Sequence, residues 1–359
     1  MISARGVADN KMLKRIGISV PRLSNTAMGF FKCAFAPPDF NNTGFAGVPD
    51  AFRGKSLVKK HKYVSQQTLT ANTDVYYLLL PIPGSAFYSV NAGAVGTAIV
   101  QGSVFNAVSY SDRASLFGAG SSNTADVVDS FRYLSNHIEI IPTCNATQWG
   151  GSITAWKAPI KVQLAGSAGA GLWSITGLQA CNAQNPECYT GPFNQGLYAG
   201  CFNESSDWSF ASVVEGIVNI PNGAPAGGEF GQISTASAFP GYDNNFEALI
   251  VKISNPLGSA NSCIVKTWSC VEYKVQPGTG LYEYATVSPK EEHNVMALYK
   301  EITMSLPVGV SFLDNDTFWQ RVLGIVRGLT KAGTALPGPY GMVSGGANMI
   351  AEGINSLAF

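Results

Sequence analysis

From residue 61 to about 280, apolar positions come in short runs separated by turn residues, the pattern of strands rather than helices. "YVSQQTLTANTDVYYLLLPIPG" reads as two β runs broken by Ala-Asn-Thr-Asp, and "FRYLSNHIEIIPT" alternates in part, with Ile138, Ile140 and Ile141 at its end. "GSITAWKAPIKVQL", "FEALIVKISNP" and "CIVKTWSCVEYKVQP" are later runs rich in β-branched residues. No strand alternates with a helix-period segment, which speaks against a doubly wound fold, and two packed antiparallel sheets fit best. The stretch from about 165 to 205 is rich in Gly, Asn and Ser and reads as long loops or a surface insertion.

Helical periodicity belongs to the end of the chain. "SPKEEHNVMALYKEITMSLP" offers Ser288 as N-cap, Pro289 at the first helical position and Glu291 at the third, with Pro307 closing the segment. In the next segment, Phe318, Val322, Ile325 and Leu329 share one line at about 100° per residue, widened by Trp319, Leu323 and Val326. Gln320, Arg321, Arg327 and Lys331 lie opposite with Gly324 and Gly328, and Thr317 with Gln320 makes a capping box. Such a basic amphipathic helix docks on a core, lies in a membrane interface or meets RNA. The tail after it, "LPGPYGMVSGGANMIAEGINSLAF", carries one charge, Glu352. Near the other end, "FFKCAFAPPDF" reads as a rigid, buried turn that holds a single acid, Asp39.

Composition sharpens this picture. Hydrophobic residues are 46% and charged residues 13%, against roughly 25% charged in ordinary soluble domains. A chain that buries much of its outside against copies of itself has this balance. Its 359 residues suit one large all-β domain, and 39 glycines with 19 prolines supply the turns. Net charge is zero, yet Arg5, Lys11, Lys14, Arg15 and Arg22 face only Asp9 in the first 22 residues. That segment is either a solvated terminus or a basic arm that touches phosphates. No secretory signal and no run of 18 apolar residues is visible, so the chain is expected to be made in the cytosol. Its seven cysteines, Cys33, Cys144, Cys181, Cys188, Cys201, Cys263 and Cys270, are therefore expected to be reduced and partly buried, with a Cys181–Cys188 bridge only after oxidation. The sequons at Asn41, Asn145, Asn203 and Asn315 are read as chance.

Turnover chemistry finds little to stand on. The three histidines, His61, His137 and His293, have no metal-site spacing, and no nucleophile elbow, phosphate loop or dinucleotide fingerprint occurs. His61, in "KKHKY", reads as part of a solvated basic turn.

One set of motifs goes further. "FFKCAFAPPDF", "GVPDAF", "SFRY", "GSITAWK", "VEGI", "NSCIVKTWSCVEY", "SLPV" and "FWQRV…LPGPYG", in this order across most of residues 27 to 359, resemble the capsid proteins of insect nodaviruses. The resemblance implies a jelly-roll shell and one self-cleavage after an asparagine, at Asn315–Asp316, assisted by Asp39. The asparagine side-chain amide attacks its own main-chain carbonyl, a five-membered ring closes and the following amine leaves. A buried carboxyl with a raised pKa suits the proton transfers. Here the sequence departs from the family, which usually places a small residue where Asp316 stands. The resemblance also implies weak calcium binding between subunits through Asp126, Asp207 and Glu215. Two further family acids are replaced by Gln179 and Ser209, which removes hard oxygen ligands. Where the family usually has a long arginine-rich arm, this chain offers the five basic residues named above: either the arm is truly short, or RNA is neutralised partly by inward helices that include Arg321, Arg327 and Lys331.

The resulting expectation is an all-β, antiparallel jelly-roll β-sandwich shell domain with a surface loop insertion and helices from the terminal segments. Residues 1–50 form the inner basic arm and rigid proline turn, 51–287 the shell with its insertion around 165–205, 288–315 a helix leading to the cleavage site, and 316–359 an amphipathic membrane-active peptide. The chain is expected to self-assemble into an icosahedral shell around single-stranded RNA in the host cytoplasm, to reside in the virion, to act on host membranes through its C-terminal peptide and to turn over only once. The receptor is unspecified. The rival is a non-viral, lectin-like jelly-roll binding module without self-cleavage, which needs neither the Phe318 to Lys331 helix nor the uncharged tail.

Overall fold

The protein is represented by a computed structural model that describes residues 24–35, 37, 47–99, 103–117, 122–123, 127–145, 148, 150–165, 172–176, 187–205, 207–213, 216–217, 231–233 and 240–314. Eight strands build a jelly-roll sandwich. In chain order they are β1 (Lys55–Leu69), β2 (Thr73–Leu79), β3 (Val128–Pro142), β4 (Ser152–Ala158), β5 (Tyr189–Pro192), β6 (Leu197–Phe202), β7 (Ala248–Asn255) and β8 (Asn261–Val275). One sheet runs β1-β8-β3-β6 and the other β5-β4-β7-β2, every one of these neighbours antiparallel. The second sheet continues beyond β2 through Ser85–Ala94, Val104–Ser109, Gly231–Ile233, Leu172–Thr176 and Lys161–Ala165. The strand runs expected from sequence are all present. β1 and β2 are joined at Asn72, whose φ of 50° lies in the left-handed region that asparagine tolerates. The expected insertion is shorter than 165–205. Residues 189–192 and 197–202 are β5 and β6, one in each sheet; β6 is buried on both faces, Leu197 toward the sandwich core and Tyr198 toward the helices, and Phe193 between the strands is buried as well.

Between the sheets lies a core that includes Phe131, Tyr133, Ile138, Ile140, Leu249, Val251 and Val265. The outer face of the β5-β4-β7-β2 sheet is also buried, around Tyr76, Trp156 and Ile250. Two helices cover the other sheet: α1 (Asn25–Phe35) and α2 (His293–Ser305). We call their side of that sheet the inner face. Their layer packs Phe30, Phe31, Phe35, Leu298, Tyr299 and Ile302 against Val58, Leu134, Tyr198 and Phe202. Strands buried on both faces explain why the sequence alternates only in part.

Both helices depart from their sequence readings. "FFKCAF" is the last part of α1 and not a turn; the prolines end it, since Pro37 lies just beyond Phe35. Ser24 caps α1 by accepting the Ala27 N–H at 3.0 Å, and its hydroxyl donates to Glu292 at the start of α2. α2 starts at His293 and not at Ser288. Ser288 instead donates both its N–H (2.9 Å) and its hydroxyl (2.8 Å) to the Gly54 carbonyl, which ties it to the sheet edge. His61 is not in a solvated turn. It lies within β1, buried, with Nδ1 2.9 Å from Asp112 and Nε2 2.8 Å from the Tyr273 hydroxyl.

Candidate cleavage site

Asp39, Asn315 and Asp316 lie outside the described residues, and the structure places the segments that lead to them. α1 ends four residues before Asp39. On the other side, Gly309–Val310 pairs antiparallel with β6, Val310 opposite Tyr198, and Phe312–Asp314 forms a short 3-10 turn. Ser311 fixes that turn: its hydroxyl donates to the Gln195 carbonyl at 3.2 Å and accepts the Leu313 N–H at 3.2 Å. Phe35, Tyr198, Phe202 and Val310 belong to one buried cluster on the inner face, so the end of α1 and the edge strand some 270 residues later in sequence pack together.

The end of α1 is gripped from the sheet. The last carbonyls of a helix have no partner within it and must find one elsewhere. Here Ser135 donates to the Cys33 carbonyl at 3.1 Å, His137 Nε2 to the Ala34 carbonyl at 2.9 Å, and Lys60 Nζ to the Pro37 carbonyl at 2.9 Å. A carbonyl only accepts, so Nε2 carries the proton and Nδ1 accepts the Tyr198 hydroxyl at 3.0 Å. Burial pushes His137 down to about 4, partly opposed by the bond to Ala34, so the ring is neutral around pH 7. Cys33 is also joined to Cys270 by a disulfide with Cα atoms 6.3 Å apart, against the expectation of reduced thiols. Among the described residues Cys144, Cys188, Cys201 and Cys263 form no disulfide, and burial pushes the thiols of Cys201 and Cys263 up to about 12, which leaves them inert.

A bulge makes this grip. Between Cys270 and Val271 the β8–β3 register shifts by one, which places Leu134 as the extra residue. Phe131 and Tyr133 before it face the sandwich core, as do Ile138 and Ile140 after it. Ser135 and His137 are thereby turned to the helices. Sequence reading missed both residues, since strict alternation from Phe131 would put them in the core. Gly200, opposite His137, completes the arrangement: a Cβ there would stand 2.8 Å from His137 Nδ1.

The remaining expectations are placed unevenly. Asp207 is exposed, and its carboxylate accepts the Ser209 N–H at 2.8 Å and the Ser209 hydroxyl at 3.0 Å. Asp126, Glu215 and Gln179 lie outside the described residues, as do Arg5, Lys11, Lys14, Arg15, Arg22, Arg321, Arg327 and Lys331 and the apolar set Phe318, Trp319, Val322, Leu323, Ile325, Val326 and Leu329. No group of three or more His, Cys, Asp or Glu is placed to hold a metal among the described residues.

The family model described as the peptidase A6 family matches residues 23–356. Capsid protein alpha of Black beetle virus is 32% identical over 354 residues, which cover 95% of this chain and 87% of that one. The same protein of Flock house virus is 33% identical over 354 residues with the same shares. That of Pariacoto virus is 31% identical over 375 residues, 96% of this chain and 91% of its own. Among solved structures, T=1 particles derived from infectious bursal virus superpose with a TM-score of 0.53 at 9% identity, covering 84% of this chain and 97% of that one. The T13 IBDV particle gives 0.52 at 9% identity, covering 82% and 95%. At that identity the likeness concerns the fold alone.

Proposed function

The chain belongs to the peptidase A6 family, and from that membership we propose that it is a viral coat protein that assembles into a closed icosahedral shell and cuts itself once, between Asn315 and Asp316. The observation that carries the cleavage reading is that Phe35 at the end of α1 and Val310 of the edge strand pack in one buried cluster. In the reaction the Asn315 side-chain nitrogen bonds to the Asn315 carbonyl carbon, the peptide bond to Asp316 breaks, and a proton passes to the leaving amine. Asp39 receives the proton from the attacking amide and supplies the one the amine needs. Such a step runs once per chain because the nucleophile is consumed.

Around this centre the reading has three further parts. The basic residues from Arg5 to Arg22, with Arg321, Arg327 and Lys331, neutralise phosphates of packaged single-stranded RNA by counterion release. Residues 316–359, once released, partition into membranes by the apolar face of Phe318 to Leu329. Asp207, with an exposed carboxylate whose oxygens retain lone pairs beyond the Ser209 bonds, contributes with Asp126 and Glu215 to weak intersubunit calcium binding. RNA content of particles carrying Lys11, Lys14 and Arg15 as Ala, dye release from anionic liposomes by the 316–359 peptide, and particle melting with and without chelator address the three parts in turn; an unchanged value removes that part.

The test of the centre is Asp39→Asn, which keeps the shape and removes the titratable group. Particles are expected to form with the chain at full mass, while wild-type particles yield the two fragments. Asp39→Asn particles that mature at the wild-type rate would show that another group moves the protons.

A further inference from the structure

We infer that Lys60, His137 and Tyr198 are positioning residues for the self-cleavage, which set where Asp39 is delivered. The inference rests on the proposed cleavage at Asn315. Its basis is a row of groups that crosses the inner sheet in strand order. Lys60 of β1 is opposite Cys270 of β8, and Cys270 is opposite Ser135 of β3. His137 lies two residues on, and Tyr198 of β6 holds its ring. Each strand of the sheet thus contributes a group that acts directly or through its neighbour on the end of α1: an ammonium, a sulfur, a hydroxyl with an imidazole, and a phenol.

Capping a helix end accounts for the bonds to Cys33 and Ala34. It does not account for Lys60, whose ammonium is directed to the carbonyl of Pro37, beyond the helix. That carbonyl matters because Pro38 and Asp39 come directly after it in the chain. The proline ring fixes φ of residue 38, and the peptide bonds on either side of that residue are planar. Between the held Pro37 carbonyl and the Asp39 Cα only one backbone torsion, ψ of Pro38, is left to turn. Holding the carbonyl therefore confines the carboxylate-bearing residue to a narrow arc, which an unanchored loop does not. Tyr198 joins this grip to the other reacting segment. Its backbone pairs with Val310, five residues before Asn315, while its hydroxyl acts through His137 on Ala34, five residues before Asp39. A displacement of either segment is resisted by the other. Since reactivity falls steeply with misplacement of about 1 Å, such a link is expected to act on rate more than on assembly.

The experiment follows cleavage of purified particles by intact mass over time, with particle sedimentation and melting recorded for each variant. Tyr198→Phe keeps the ring and removes the donor; His137→Leu and Lys60→Met remove the grips on Ala34 and Pro37. Each is expected to slow cleavage about tenfold or more in particles that sediment as wild type. His137→Gln places an amide N–H near the position of Nε2 and is expected to recover the rate to within about threefold, which a loss of packing alone does not allow. If His137→Leu particles melt earlier yet cleave at the wild-type rate, the histidine only braces the fold and the inference is wrong. Should His137→Leu fail to assemble, Tyr198→Phe and Lys60→Met decide by the same rates. Asp39→Asn and Asn315→Ala run beside them: if those are uncleaved while all three positioning variants cleave normally, this inference alone falls, and if those two mature as wild type, the cleavage reading falls and takes the inference with it.

Discussion

Arg132, from the "SFRY" motif, is buried among more negative charge than it can neutralise alone. It donates through Nε to Glu272 at 2.9 Å, through Nη1 to Asp50 and to the Trp208 carbonyl, and lies 4.2 Å over the Phe210 ring. Glu272 is fully buried and takes further bonds from Ser56 at 2.5 Å and Val48 N–H at 3.2 Å. Gly47 permits this approach, since with its φ of 111° a Cβ would meet the Glu272 carboxylate at 2.4 Å. Removing one member leaves a buried charge without its partner. Arg132→Met is expected to cost about 3–5 kcal/mol in urea unfolding, and Arg132→Met with Glu272→Leu to cost less than the single change. At Asp112 the consequence shows in pH. Burial alone would raise its carboxyl, but the His61 and Lys59 contacts, Lys59 Nζ at 2.8 Å, outweigh it and hold the group well below its ordinary 3.8. A depressed carboxyl stabilises the fold above its unfolded value and loses that contribution as pH falls through the folded one. Asp112→Asn is therefore expected to cost about 1.5–3 kcal/mol at pH 7. The gap to wild type in thermal melting should narrow only below pH 3.8.

At the scale of elements, the strands were legible because burial and β-branching coincide along them, and Asp39 stood out because a single acid follows two prolines. α1 was not legible: aromatic residues have modest helix propensity, and the prolines after them dominate the local reading. The grip on α1 was hidden for another reason. It depends on the bulge at Leu134 and on residues of adjacent strands 61 to 135 positions apart, such as Tyr198 with His137 and Cys270 with Ser135, which no local pattern encodes. The disulfide was missed because compartment was taken to decide oxidation, whereas the fold brings Cys33 of α1 onto Cys270 of β8. Its sequence separation of 237 residues means that it restrains a very long loop in the unfolded chain. A reductant is expected to lower the melting temperature of wild type and to leave a Cys33→Ser, Cys270→Ser protein, which already melts lower, where it was. Equal response of the two would mean that the bridge does not form in solution.

The whole molecule depends on what closes its sheets. Thr286–Val287 pairs with β1 at one outer edge of the inner sheet, and Gly309–Val310 pairs with β6 at the other. α2 runs between them across the helix-covered face, so residues 286–310 form a strap that covers both edges. Uncovered edges are templates for pairing with other chains. A chain ending at Val308 is expected to aggregate by light scattering, whereas one ending at Asp314 stays dispersed or assembles; equal behaviour would mean that the β6 edge is protected by other means. The strap also sets a clock. During synthesis, β1 is made more than 200 residues before its edge partner, so for most of translation the sheet is open at both ends and no finished subunit surface exists. Only a chain made through Val310 fastens, and the Asn315–Asp316 bond proposed for cleavage is made within a handful of residues after that. On the proposed reading, subunits thus become competent to join a shell and acquire the bond assigned to self-cleavage in one step.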